Sequence, residues 1–201
     1  QGTAADAAWR SLYLADIAFL RDLVQRNYIY AVYAEGDPQW QKRLARAARF
    51  AGDDTGKVRD FGSYRAALQH YIAAFEDAHF SAYFSVGSDA AQWPGFSLRY
   101  GAGRYLVARS AIADVTVGAQ VSACDGEPIE SWLDRLAEFY GGPRGRETTR
   151  AAIAPQLFVD RGNPLYSLPR TCVVSGESLA LTWRPVPTAL SAGPDRAPVR
   201  T

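Results

Sequence analysis

The chain has 201 residues, 48% hydrophobic and 21% charged, with 22 basic against 21 acidic side chains and a formal net charge of +1. That length supports one large or two small domains with real cores. Such a balanced charge argues against a nucleic-acid surface, and no apolar run is long enough to span a membrane. The densest basic stretch, "GGPRGRETTR" with Arg144, Arg146 and Arg150, reads as a solvated loop. No methionine occurs, even at position 1, and "QGTAADAA" lacks the basic start and apolar middle of a signal peptide. The sequence therefore reads as a processed or excised piece of a longer gene product.

Residues 7 to 90 read as helical. In "AAWRSLYLADIAFLRDLVQRNYIY", Leu12, Ile17, Leu20 and Val24 lie close to one helical stripe. "DPQWQKRLARAARF" opens with Asp37 as N-cap and Pro38 as first helical residue. Asp53, Asp54 and Asp60 do not have calcium-loop spacing and read as caps and solvated charges. Ser63 is placed to cap a helix with Tyr64, Leu68, Tyr71, Ile72 and Phe75 on one face, and four residues further along that face comes His79. "FSAYFSV" then alternates as a strand, with Phe80, Ala82, Phe84 and Val86 on one side.

From Trp93 the pattern changes. "GFSLRYGAGRYLVARSA" predicts a hairpin around a Gly-rich turn, and "VTVGAQVSACDGEPI" two strand-like runs with a "DG" turn. "EPIESWLDRLAEFYGG" is an amphipathic helix stopped by Gly141, "TTRAAIAPQLF" a second short helix, and "RTCVVSGESLALTWRPV" a closing hairpin. Pro185, Pro187, Pro194 and Pro198 mark an extended tail. The fold class is thus α+β: a helical bundle over residues 1–90, a small β-rich unit over 91–185 and a proline-rich linker or tail over 186–201. Trp40, Trp93 and Trp132 read as packing residues.

Recognisable catalytic motifs are few. "GAGRYL" fails the dinucleotide pattern at Leu106, and there is no P-loop, no H-E-x-x-H and no G-x-S-x-G. His70 and His79, nine residues apart, would sit on different faces of a helix, so no metal site and no cofactor is implied. Cys124 and Cys172 are either two buried thiols or one bridge, and a bridge would indicate an exported protein. His79, after "EDA" where helix gives way to strand, reads as a packing residue, a metal ligand or a general base. His70 lies mid-helix, off its stripe.

The order of parts resembles the front half of the S41 serine peptidases, tail-specific or tricorn-type, over roughly residues 10 to 185. In that family a helical cap ends in D-x-H plus an aromatic or Thr, as in "DAHF". A PDZ-like domain follows, here "PGFSLRYGAGRYLVARS" and "VGAQVSACDGEPI". Ala119 replaces the family's aspartate after the glycine, and Cys124 the apolar residue before "DG". The resemblance places Asp77 and His79 at the two named positions of D-x-H. The histidine is the general base in the tricorn-like branch, whereas a Ser-Lys dyad works in the tail-specific branch. It also makes Gly95, Phe96, Ser97 and Leu98 the loop that presents backbone N–H groups to a peptide C-terminus. The family's catalytic core follows the PDZ-like unit, where this sequence stops. What is implied is a hydrolytically inactive piece of a periplasmic or secreted endopeptidase, with a peptide or protein substrate and the C-terminal catalytic domain as partners. The alternative is a stand-alone peptide-binding module.

Overall fold

The computed structural model describes residues 3–28, 36–77, 79–82, 84, 91–143 and 145–187. Helix α1, Ala4–Asn27, starts in a reciprocal cap: the Thr3 hydroxyl accepts from Asp6 N–H and the Asp6 carboxylate accepts from Thr3 N–H. Helix α2, Pro38–Thr55, begins as its sequence dictates, with Asp37 accepting from Gln39 N–H and proline in the first turn. Helix α3, Phe61–Ala73, is capped by Asp60 rather than Ser63. Ser63 is the third helical residue, and its hydroxyl returns to the Asp60 backbone N–H to close a second reciprocal cap.

These helices bury Tyr13, Val24, Trp40, Phe50, Leu68, Tyr71, Ile72 and Phe75 between them. Helix α1 is the outlier. It seals only Tyr13 and Val24, with Ile17 and Leu20 half-buried, while Leu12, predicted on the buried stripe, is 45% exposed. The strand predicted over 80–86 does not form at residues 80–82 or at Phe84; residues 83, 85 and 86 lie outside the described residues. Phe80 and Ala82 pack on the helical core, and Phe84 meets the rings of Phe61 and Tyr64 edge-on. The alternation thus marks Phe80, Ala82 and Phe84 as side chains that pack on helices.

The second unit is built from antiparallel pairs. Strand β1 (Gln92–Trp93) pairs with β8 (Arg184–Pro185), and β2 (Phe96–Gly101) with β3 (Arg104–Ser110). A four-stranded sheet follows the order β5 (Glu127–Pro128), β4 (Val121–Cys124), β6 (Thr171–Val174), β7 (Glu177–Ala180). A Leu106–Gln120 bridge joins β3 to β4. The turns follow the sequence: Asp125–Gly126 and Ser175–Gly176 each put two successive residues at positive φ, the conformation that suits a two-residue hairpin.

Helix α4, Ile129–Ala137, turns Ile129, Trp132, Leu133 and Leu136 onto the sheet. Helix α5 (Glu147–Ile153) and the 3-10 turn Ala154–Gln156 pack against β2. Cys124 and Cys172, register partners in β4 and β6, form a disulfide. The two units touch: Leu165 joins the cluster around Tyr13 and Leu68, and Arg65 of α3 donates to the carbonyls of Arg161 and Gly162. The fold is α+β, helices first and small antiparallel sheets after. Among the described residues no helix is long and apolar enough to cross a membrane.

Candidate functional site

After α3 the chain bends at Glu76, a non-glycine residue at φ 54° paired with Arg46 of α2. That bend presents Asp77. Its Oδ1 accepts the backbone N–H of His79 at 2.8 Å and lies 3.2 Å from His79 Nδ1. Its Oδ2 accepts the Tyr28 hydroxyl. The Tyr28 ring is fixed in turn, stacked on Trp40 at 5.5 Å and flanked by Phe75 and Phe80. Partial burial pushes the Asp77 carboxyl up, but the Tyr28 hydroxyl and the His79 N–H outweigh it and hold the group below the usual carboxylate range.

A carboxylate can only accept. A neutral His79 ring therefore meets it through Nδ1–H, leaving the Nε2 lone pair outward. The His79 side chain is 98% exposed. It is therefore not packed away, and among the described residues no group of three or more His, Cys, Asp or Glu side chains could hold a metal ion. What the geometry offers is an oriented, solvent-facing base. Among the described residues no hydroxyl or thiol is bonded to it, and both cysteines are locked in the disulfide.

His70 has the opposite setting, which the sequence did not signal. It is buried against Phe50 at 3.6 Å and Phe139 at 4.8 Å, with Nδ1 2.6 Å from Asp54 Oδ2. Asp54, read from sequence as a solvated charge, is 1% exposed in its side chain and also binds Lys57 Nζ at 2.8 Å. Burial raises its carboxyl, yet the bonds from His70 and Lys57 prevail and keep it below the ordinary value. Glu138, at the end of α4, lies 3.8 Å from His70 Nε2, so the pair sits where the two units meet.

The predicted peptide loop is a turn leading into β2. Gly95 has φ 98°, and Phe96 and Leu98 point into the core, leaving Ser97 half-buried. These four residues therefore offer backbone rather than side chains. Among the described residues β2 pairs only with β3.

No family model matches the chain, and no curated protein matches it. Solved structures do. Mature CPAF complexed with lactacystin, mature CPAF alone, and a serine-to-alanine mutant of CPAF superpose with TM-scores of 0.59, 0.60 and 0.62. Identities are 18%, 18% and 17%, and each match covers 90% of this chain. CPAF is a chlamydial serine protease of tail-specific-protease-like type. The shared property is the fold. The chain spans little more than a third of CPAF's length, 36%, 36% and 35% in the three structures.

Proposed function

We propose that this chain is the cap and peptide-docking part of an S41-type serine endopeptidase, completed by a catalytic core beyond Thr201. The observation that supports this most is the Tyr28–Asp77–His79 series: an exposed imidazole held by a carboxylate, with no partner on its other nitrogen among the described residues. Such a base takes the proton of a serine hydroxyl brought to it as that hydroxyl attacks a peptide carbonyl, then returns it to the leaving amine. Asp77 keeps the ring in the productive tautomer and stabilises the imidazolium. Gly95 to Leu98 and the outer edge of β2 receive the substrate as an added strand. The disulfide supports maturation in an oxidising compartment, periplasmic or extracellular.

The test is made in the polypeptide extended past Thr201. His79→Ala lowers peptide hydrolysis by roughly 100- to 10,000-fold, while the melting temperature of the 201-residue chain stays put. The 201-residue chain itself turns over no peptide and takes no serine-directed phosphonate label. Full hydrolysis by the His79→Ala protein would demote the residue to a bystander and favour a Ser-Lys mechanism. Turnover by the 201-residue chain alone would overturn the proposal.

A further inference from the structure

His70 anchors a second polar centre, at the junction of the two units, which the hydrolytic reading leaves unused. Asp54 is held ionised and can only accept, so the imidazole meets it through Nδ1–H, at 2.6 Å. That leaves Nε2, which is buried and has no hydrogen-bond partner. Buried polar atoms left in this state are rare and call for an explanation. The Glu138 carboxylate stands 3.8 Å from it, beyond the roughly 2.7–3.2 Å of a hydrogen bond. The stand-off has a simple cause. In a neutral ring bonded through Nδ1–H, Nε2 carries a lone pair, and a carboxylate has only lone pairs to offer in return. A proton on Nε2 turns the same approach from repulsive to attractive.

The two sides of this contact belong to different units. His70 lies on α3, with its ring stacked on Phe50 of α2 at 3.6 Å. Glu138 ends α4 in the second unit, and the next residue, Phe139, brings its ring to 4.8 Å from the imidazole. An imidazolium gains from both aromatic rings as well as from Glu138. The other charges nearby are engaged elsewhere: Lys57 with Asp54 Oδ1 at 2.8 Å, Arg135 with Glu127 at 2.6 Å, and Arg49 over the Phe50 ring. Burial pushes the phenols of Tyr13, which faces Asp54, and of Tyr166 well up, so neither titrates near neutrality. The junction also has room to move. His70 and Glu138 line a cavity of about 430 Å³, and a second of about 540 Å³ separates Gly62 and Arg65 of α3 from Asp160 and Asn163.

We propose that His70 is a pH-operated clasp between the units. Protonated, it donates Nε2–H to Glu138 and draws the end of α4 onto the helices; neutral, it lets that end stand off. Histidine is the side chain that changes charge over roughly pH 5 to 8. A bond made in one protonation state alone biases the two arrangements, with the clasp closed on the acid side and released as pH rises. The clasp does not depend on whether His79 serves as a base.

The experiment uses the 201-residue chain and two readouts, each at pH 5.5 and pH 8.5. In denaturant titration, Glu138→Gln is expected to raise the unfolding equilibrium constant about tenfold at pH 5.5 and less than about twofold at pH 8.5. Glu127→Gln, which removes a carboxylate from the same cavity but one paired with Arg135, is expected to show no such pH dependence. For the second readout, nitroxides are attached at Lys42→Cys and Ser178→Cys, one exposed position in each unit, while Cys124 and Cys172 stay locked in their disulfide. The distance distribution from pulsed electron spin resonance is expected to be narrower at pH 5.5 than at pH 8.5, and adding Glu138→Gln to remove the difference. An equal cost of Glu138→Gln at both pH values would overturn the clasp. So would an equal acid-side cost of Glu127→Gln, which would reduce the effect to general charge, or a spin-label distribution that ignores pH.

Discussion

His70 and His79 are both near a carboxylate, yet they do different work. At His79 the carboxylate is anchored from behind by Tyr28 and the ring is bare. At His70 the ring is sealed between Phe50 and Phe139, and the carboxylate is nearly inaccessible. Removing one member of a buried, hydrogen-bonded pair strands the other, so Asp54→Asn is expected to lower stability by about 3 kcal/mol in chemical denaturation. The pH dependence follows from the depressed Asp54 carboxyl. A folded-state value below the unfolded one means the contribution is complete above about pH 4 and is lost as pH falls through the lower, folded value. The melting temperature of the parent is expected to drop on that acid limb, and that of Asp54→Asn to drop less steeply. The sequence revealed little of this pair. Sixteen residues and a helix boundary separate the partners, and "GDD" in a polar stretch looks solvated until α3 folds over it. The Asp77–His79 contact joins residues two apart, the two positions that the D-x-H resemblance named, whereas Tyr28, 49 residues distant, gave no signal in the sequence.

Elements were easier to read where they are specified locally. Asp37-Pro38, "DG" and "SGES" each impose a cap or a turn through nearest neighbours, and all appear where expected. The start of α3 was misplaced by three residues because Asp60 and Ser63 serve the same cap from opposite ends. The strand predicted from Phe80 failed since alternation records only which side chains are buried, and here helices cover them. Gly95 shows what one position in an element can demand. Gly95→Ala forces φ 98° on a residue with a Cβ and drives that Cβ into Ile112 and Arg184. A loss of about 1–3 kcal/mol is expected by denaturant titration. The disulfide ties β4 to β6 across 48 residues. In the chain-entropy picture, closing that loop in the unfolded state stabilises by about 4 kcal/mol. Double replacement of Cys124 and Cys172 by Ala is therefore expected to lower the denaturation midpoint clearly, and a reductant to have no further effect on that variant.

Across the whole molecule, the arrangement of helices and sheets is shared with part of CPAF at under one fifth identity. The resemblance noticed in "DAHF" and "VSACDGEPI" rests on short segments, whereas the superposition covers 90% of the chain. The contacts between units, Leu165 in the helical core, Phe139 on His70 and Arg65 on the 161–162 carbonyls, could not be read from periodicity. They join residues roughly 70 to 150 positions apart whose local patterns satisfy either unit alone.

The contrast between the two imidazoles gives the molecule a built-in reporter. An acylating reagent such as diethyl pyrocarbonate finds one ring standing in water and the other closed off, so a single histidine adduct, at His79, is expected by mass spectrometry. Whatever settles over the end of the helical unit, be it the rest of the polypeptide or an inhibitor, will shield that ring. The rate of adduct formation then becomes a direct gauge of assembly, readable without a substrate.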